Sequence, residues 1–143
     1  MAKFIGRNIR VKVGSTELTT NIASVEVTET VDEIETTAFG QAARSRIAGL
    51  KDASVTISFH QDYDASSVNA TLGGVFGGTA NVVILAGTST TQGTATATAP
   101  LFTIPVLCSQ QTPVNGQVGD LTTFDVTWPA VGEITKSTAG TFV

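Results

Sequence analysis

Hydrophobic and polar residues alternate along most of this chain, and a period of two predicts β-strands. The alternating segments are residues 9–13, 24–31, 54–62 and 123–128. Such alternation is typical of a sheet that packs against a core on one face only. The side chains predicted to point into that core are Val25, Val27, Val31, Val55, Ile57, Phe59, Phe124, Val126 and Trp128.

Two further segments, 81–86 and 101–107, are more continuously apolar and predict strands that are buried on both faces. Pro105 lies in the second segment and has no N–H to donate. We therefore expect part of that strand to lie at a sheet edge or at a bulge.

A single short helix is predicted over residues 65–76, where apolar residues recur at helical spacing after a capping Asp64. Residues 87–100 are rich in Thr and Ala and predict a loop, and 38–50 predict a long connection because they lack periodicity. Together these elements predict one domain over residues 1–143. Its class is all-β with one short helix, arranged as an antiparallel β-sandwich or barrel.

Composition narrows the class of protein. Charged residues make up 14% of the chain, against about 25% in typical domains, and the mean hydropathy is +0.22. No stretch approaches the ~20 apolar residues of a membrane helix, so we expect no membrane insertion, and an apolar, weakly charged chain is not disordered. The single cysteine excludes a disulfide framework and a cysteine-based zinc site.

Residues 65–119 contain no charged side chain. A monomer normally carries charges over its surface for solubility, whereas the cores of protein interfaces are depleted in charge. We therefore expect much of this segment to lie in the core or against other subunits. The alternative is a threonine-coated β surface that is polar enough to remain in solution.

The remaining charges are segregated along the chain. Residues 1–12 hold bases and no acid, the acids begin at Glu17, and the net charge is −4 with a pI near 4.7. An acidic balance disfavours tight nucleic-acid binding. The basic start is not followed by an apolar segment, so we predict no secretory signal and expect synthesis and assembly in the cytoplasm.

Residue types suited to catalysis occur together at Ser58, His60 and Asp62, on one face of a predicted strand. A nucleophilic triad needs its serine on a strained or exposed turn beside oxyanion donors, which a flat strand does not supply. His60 with Asp62 and Asp64 is a sparse ligand set for a metal. We therefore predict no catalytic, cofactor-binding or metal site, and a protein that is not an enzyme.

A family resemblance is carried by the middle of the chain. Residues 36–40 (TTAFG) are followed by 43–52 (ARSRIAGLKD), which run directly into the strand at 53–64. This arrangement resembles the major tail tube proteins of long-tailed bacteriophages, in which a T-x-FG … R … GLKD-x-S stretch precedes a strand ending in acidic and aromatic residues. Residues 65–76 and 128–135 also look like later elements of that family.

The resemblance implies a β-sandwich protomer that closes into hexameric rings, which stack into the tail tube, with a fold shared with the tube of type VI secretion systems. It implies a structural virion protein, assembled in the host cytoplasm without a cofactor, whose channel passes DNA without tight binding. Its partners would be further copies of itself and the tape measure, tail terminator and distal tail proteins. An extended inter-strand loop, residues 35–52, would reach the adjacent ring.

Two sets of residues follow as hypotheses. Acidic side chains that face the channel would repel DNA, and the candidates are Glu26, Asp32, Asp62 and Asp125. Basic side chains could pair with the acidic 26–35 segment of a neighbouring subunit and set its register. The candidate contacts between subunits or rings are Arg7, Arg10, Lys12, Phe39, Arg44, Arg46, Leu50 and Lys51.

Alternative functions stay open at this stage. Another self-associating β-rich protein, a capsid decoration protein or a pilin-like subunit, would share this composition, although the missing secretory signal disfavours an exported pilin. A small-ligand β-barrel or an enzyme would need a pocket of convergent polar groups. The sparse His, Tyr and Trp content disfavours such a pocket.

Overall fold

The structure is a computed structural model that describes residues 9–86, 95, 99–140 and 142. Within this part of the chain one α-helix, α1 (Val68–Val75), lies between the fourth and fifth of eight β-strands. The strands are β1 (Arg10–Val13), β2 (Thr16–Glu17), β3 (Ile22–Glu35), β4 (Arg46–His60), β5 (Thr79–Leu85), β6 (Leu101–Leu107), β7 (Thr123–Pro129) and β8 (Thr135–Ser137).

The strands form two antiparallel sheets, which confirms the predicted all-β class with one short helix. One sheet has the strand order β2-β1-β5-β6-β8 and the other has the order β3-β4-β7. Side chains from both sheets meet in one buried cluster, which Val68 and Leu72 of α1 join. The protomer is therefore a sandwich, with its main core between the sheets.

The inward positions predicted for β4 and β7 are confirmed. The six residues are buried and lie opposite one another in three pairs: Val55 with Trp128, Ile57 with Val126 and Phe59 with Phe124. The Phe59 and Phe124 rings stack with their centroids 5.3 Å apart. The Trp128 indole N–H donates to the carbonyl oxygen of Gln110 at 2.9 Å, so its polar atom is satisfied inside the core.

Burial on both faces is confirmed for β5. Val82 and Ile84 point into the main core, whereas Val83 and Leu85 belong to a second buried cluster that includes Phe142. A continuous apolar run is expected wherever both faces of a strand are covered.

Burial on both faces is wrong for β6. Ile104 and Val106 are buried, but the other five residues of the strand are only partly so. β8 pairs with β6 only from Leu101 to Thr103. Pro105 therefore lies beyond that ladder, where its missing N–H removes no bond to β8.

Only the first part of β3 behaves as predicted. Val25 packs against the main core, whereas Val27 and Val31 are 37% and 45% exposed. The alternation in this segment correctly indicated a strand. It did not indicate burial, because the apolar face of β3 extends past the core that covers Val25.

The predicted start of the helix is corrected from residue 65 to Val68. Ser67, not Asp64, occupies the N-cap position and makes no side-chain capping hydrogen bond. The Ser67 N–H donates to the Asp64 carbonyl at 3.1 Å, and the Asn69 N–H donates to the Asp62 carbonyl at 3.0 Å. Residues 64–67 therefore form a turn that leads into α1.

The predicted extended loop at 35–52 is mostly strand. β3 continues to Glu35 and β4 begins at Arg46, so only residues 36–45 connect them. Backbone pairing continues here without burial, and burial of one face is what gives a strand its periodic pattern. The loop predicted at 87–100 lies outside the described residues apart from positions 95, 99 and 100.

Candidate assembly surfaces

The distal half of the β3–β4 hairpin extends beyond the sandwich core, and we call residues 29–52 the hairpin arm. β7 pairs with β4 only from Ser54 to His60, so the arm is a ribbon of two strands. Its residues are exposed except Ser45 and Gly49, which are half-buried. A two-stranded ribbon is marginally stable in water. We therefore expect the arm to gain stability from a surface outside its own protomer.

Large apolar side chains on the arm are open to solvent. The exposed fractions are 45% for Val31, 48% for Ile34, 107% for Phe39, 57% for Ile47 and 80% for Leu50. Ile34 and Ile47 are directly opposite in the β3–β4 register. A concentration of exposed apolar side chains on one element marks an interaction surface.

Sequence reasoning named two of these apolar side chains and missed three. Phe39 and Leu50 were named as contact residues, whereas Val31, Ile34 and Ile47 were not. Val31 was predicted to point into the core, Ile34 lies beyond the predicted strand at 24–31, and Ile47 lies in the segment predicted as a loop. The alternation around Val31 held no information on whether the apolar face of the strand is covered.

A glycine keeps the two strands of the arm close together. The β3–β4 register shifts between Val31 and Glu33, and Gly49 lies opposite this irregularity. A Cβ atom on Gly49 would stand 3.0 Å from the Asp32 Cβ and 3.1 Å from the Ile34 Cδ1. Such distances are shorter than ordinary Cβ contacts, so a side chain at this position would require Asp32 and Ile34 to move by a few tenths of an ångström.

The predicted contact bases of the arm have partners within their own chain. Arg44 Nε lies 3.7 Å from Glu35 Oε1, and Arg46 Nε lies 3.7 Å from Glu33 Oε2. These pairs are exposed and longer than a good hydrogen bond, so each contributes about 0–1 kcal/mol. Lys51 Nζ lies 3.1 Å from Glu133 Oε1 at the base of the arm. Pairing with a neighbouring subunit stays a prediction.

The bases of β1 also have partners within the chain. Arg10 forms two hydrogen bonds with the Glu17 carboxylate, at 2.9 and 3.0 Å, which raise the pKa of Arg10 and lower that of Glu17. Lys12 Nζ donates to the Phe142 carbonyl at 2.6 Å. The Arg10 guanidinium also lies 4.6 Å from the centre of the Phe142 ring. Their proposed contacts with other subunits stay predictions, and Arg7 lies outside the described residues.

Two of the four predicted channel acids share one face. The outward side of the β3-β4-β7 sheet carries hydroxyl and acidic side chains, and we call it the hydroxyl face. The Ser58 hydroxyl donates to the Asp125 carboxylate, and the Thr56 and Thr127 hydroxyls are 3.2 Å apart. Strand pairing places Glu26 opposite Thr56 on this face. The residues of the hydroxyl face are Ser24, Glu26, Thr28, Ser54, Thr56, Ser58, His60, Thr123, Asp125 and Thr127.

The other two acids lie elsewhere. Asp32 is on the arm beside Gly49. Asp62 follows β4, where its carboxylate accepts the Asp64 N–H at 3.0 Å and the Asn21 side-chain amide at 3.4 Å. The Asp64 N–H, followed by the Ser67 hydroxyl, holds the pKa of Asp62 below its ordinary value. Whether any of the four acids faces a channel stays a prediction.

The Ser58, His60 and Asp62 set is not connected as a triad. Ser58 donates to Asp125, and Asp62 is engaged by Asp64 and Asn21. Among the described residues no group of three or more His, Cys, Asp or Glu side chains is placed to hold a metal ion. Cys108 is buried, and burial raises the pKa of its thiol. Within the same part of the chain no helix has the length and apolar character to cross a membrane.

No protein-family model matches this chain, and no curated protein matches it in sequence. Solved structures match it in fold. A chain in the virion of a native gene transfer agent particle has 10% sequence identity and a TM-score of 0.72, over 94% of this chain and 99% of that one. A chain in the tail of an empty gene transfer agent particle with C6 symmetry has 10% identity and a TM-score of 0.61, over 93% and 98%.

This likeness shows a shared fold over nearly the full length of both chains. At 10% identity it does not extend to individual residues. The roles of the hairpin arm and the hydroxyl face are therefore argued from their own geometry.

Proposed function

We propose that this chain is a structural protein of a phage-like tail, not an enzyme, and that its copies close into rings of six and stack into a tube that passes DNA. The observation that carries the proposal is the fold shared with a chain of a C6-symmetric tail. A shared fold alone is compatible with many functions. The exposed apolar arm supports self-assembly independently of that likeness.

The three-stranded sheet offers a route to ring closure. β3 and β7 are its two edges. On β7 the Thr123 carbonyl accepts from the Asn115 side chain at 2.7 Å and the Thr127 N–H donates to the Gln110 side chain at 3.1 Å, so a neighbouring strand would have to displace these two bonds. Pairing of β3 in one copy with β7 in the next would continue the sheet from copy to copy. Such a heterologous contact closes into a ring when the rotation per copy divides a full turn.

The hydroxyl face would then become one surface of the ring. It carries the acids Glu26 and Asp125 and no Lys or Arg. Hydroxyls and carboxylates predominate on this surface and His60 is its one basic side chain, so the balance of its charges repels phosphate. We therefore assign this face to the channel. Asp32 and Asp62 remain weaker candidates because they lie off the face.

Electron microscopy of the purified full chain tests the proposal most directly. We expect tubes with a central channel and sixfold symmetry in end-on views. Monomers or trimers without a channel would contradict it and favour a capsid decoration protein, while solid fibres would favour a pilin-like subunit.

Charge reversal on the hydroxyl face tests its assignment to the channel. In tubes of a Glu26→Lys/Asp125→Lys double variant we expect DNA retention to rise about tenfold at low salt and to fall steeply as salt is added. The matched control is Asp64→Lys/Asp120→Lys, which makes the same change in charge at two exposed acids off this face. Equal DNA retention by the two double variants in a co-sedimentation assay would contradict the assignment.

A further inference from the structure

The connection from β6 to β7 runs alongside the free edge of β7. Gln110 lies beside Thr127 and Asn115 lies beside Thr123, so the connection follows β7 in the antiparallel direction. The two segments meet through side chains. The Thr127 N–H donates to the Gln110 side-chain oxygen at 3.1 Å, and the Asn115 side-chain amide donates to the Thr123 carbonyl at 2.7 Å. We call Gln110 and Asn115 the edge caps.

The edge caps occupy positions that a neighbouring strand would use. Alternate residues of an antiparallel strand direct their backbone groups to the same side. The free edge of β7 therefore carries the backbone groups of Thr123, Asp125 and Thr127, and the edge caps take one C=O and one N–H of this set. Pro129 follows at the same spacing and has no N–H to offer a further strand. A loop that covers an edge in this way opposes pairing with another chain.

The backbone of the connection is held independently of the cap side chains. The Trp128 indole N–H donates to the Gln110 carbonyl at 2.9 Å. The Tyr63 hydroxyl and the Gln61 side-chain amide both donate to the Pro113 carbonyl, at 2.6 and 2.9 Å. Both edge caps are exposed, so their side chains can rotate away from β7 while these three bonds keep the backbone in place.

The other edge of the sheet is not covered in this way. Among the described residues no side chain forms a hydrogen bond with the backbone of β3. A head-to-tail contact needs one β3 edge and one β7 edge, so covering β7 alone is enough to control it. Because a covered β7 edge does not pair, the apparent affinity between copies is reduced to the fraction of protomers whose β7 edge is open.

We infer that the edge caps regulate ring closure. Their side chains occupy the β7 edge in the free protomer and withdraw when β3 of a second copy replaces them. The inference rests on the proposed ring and deepens it, because it names the residues that set how readily β3 and β7 pair. Two of the hydrogen bonds gained on pairing replace two that are lost, so the net gain comes from the remainder of the ladder.

Alanine substitution of the edge caps in the full chain tests the inference. We expect Gln110→Ala and Asn115→Ala each to lower the protein concentration needed for tube growth by about two- to tenfold, the net contribution of one hydrogen bond. The double variant should lower it by the product of the two. Gln117→Ala is the matched control. It shortens an exposed amide of the same connection, keeps the bond from the Asp120 N–H to the Gln117 carbonyl, and should leave the concentration unchanged.

A second pair of variants separates the loss of a hydrogen bond from a change in charge. Asn115→Asp replaces the donating amide by a carboxylate, which has no proton to donate to the Thr123 carbonyl. Gln110→Glu adds the same charge but keeps an oxygen that accepts the Thr127 N–H. Only Asn115→Asp should lower the protein concentration needed for tube growth. Equal effects of the two variants would contradict the role of the edge caps.

Amide hydrogen exchange of dilute, unassembled protein measures the covering of the edge directly. In Gln110→Ala the Thr127 N–H should exchange about two- to tenfold faster, because its acceptor is gone. The Val126 N–H points to β4 and should exchange at the parent rate, which also shows that the variant keeps its fold.

The outcomes separate the two proposals. If the parent chain forms tubes and the alanine variants need the same or a higher protein concentration, the inference is overturned and the proposed function stands. An unchanged exchange rate at Thr127 in Gln110→Ala would overturn it as well. If the parent chain forms neither rings nor tubes, the proposed function fails, and the inference that rests on it fails too.

Discussion

The two halves of strand β4 differ in what stabilises them, although they belong to one continuous strand with one continuous partner. From Ala53 to Phe59 every second side chain is buried against the opposite sheet. From Arg46 to Asp52 the same strand pairs with β3, yet it has no buried side chain. The inner half is stabilised by apolar burial. The outer half has backbone pairing and weak ion pairs.

This difference shows that strand formation and strand burial are separate properties. A hairpin of this length can stay paired beyond the core because the inner half holds both strands in place. The apolar side chains of the outer half are then exposed in the protomer. Exposed apolar side chains concentrated on one element are typical of a surface that contacts another molecule.

Truncating one apolar side chain in each half should show the largest contrast. We expect Phe59→Ala to lower the free energy of unfolding of the monomer by about 3–5 kcal/mol, because the ring is fully buried and stacked on Phe124. Leu50→Ala should change it by less than about 0.5 kcal/mol, because Leu50 is exposed. Urea denaturation of dilute protein measures both. Similar losses in the two variants would contradict the comparison.

Adding a methyl group at Gly49 should destabilise the outer half of β4, which lies in the arm, and leave the inner half unchanged. We expect Gly49→Ala to cost the arm about 1–3 kcal/mol, because the new Cβ would press on Asp32 and Ile34. Amide hydrogen exchange should accelerate in the arm and stay unchanged in β7. Gly74→Ala, in α1 with nothing within 4 Å of its new Cβ, is the control and should stabilise the helix by about 0.5–1 kcal/mol. If amide hydrogen exchange accelerated equally over both sheets, the arm would not open independently of the core.

The Arg10–Glu17 pair should give a smaller, pH-dependent effect. The pKa of Glu17 is lowered in the folded state, so its stabilisation is present above the ordinary carboxyl pKa and is lost as the pH falls through the folded value. Because the pair is partly exposed, Glu17→Gln should cost at most about 1 kcal/mol at pH 7. The difference in the free energy of unfolding between the Glu17→Gln variant and the parent protein should vanish at acidic pH. A difference that grows as the pH falls would contradict this account.

The arm ion pairs should have the smallest effect on the monomer. Arg46→Gln should change the free energy of unfolding by about 0–0.5 kcal/mol, because its contact with Glu33 is long and exposed. The charge-reversed variant Arg46→Glu tests whether the arm contacts acidic side chains of a neighbouring subunit. Tubes that form unchanged with Arg46→Glu would argue against that predicted pairing.

Sequence patterns predicted the buried elements more accurately than the exposed ones. The inward residues of β4 and β7 and the two-sided burial of β5 follow from spacing alone, because burial selects apolar residues at each covered position. Val27 and Val31 follow the same spacing and are exposed. Their pattern could not indicate what lies opposite, since that depends on where the five-stranded sheet ends.

The predicted sites depended still more on distant parts of the chain. Phe39 and Leu50 were predicted as contact residues because they lie in the segments 36–40 and 43–52, which carry the family resemblance. The structure places both residues on the arm. The exposed residues Val114, Val118 and Leu121 of the β6–β7 connection were missed, since they have no periodic spacing. The connection is held by hydrogen bonds from Gln61 and Tyr63 to the Pro113 carbonyl. Those bonds join residues about fifty positions apart, which a local pattern does not contain.

The sequence by itself determined that this chain is all-β with one short helix, which residues of β4 and β7 are buried, and where charge is absent. These properties are local, because the period of a strand and the polarity of each position depend only on residues that are close together in the sequence. Only the tertiary structure decided that the outer hairpin extends past the core and that Val114, Val118 and Leu121 are exposed. It also decided that Glu26 and Asp125 share a face while Asp32 and Asp62 do not. The physical reason is that exposure depends on which distant segments pack together, and a residue's own neighbours do not specify them.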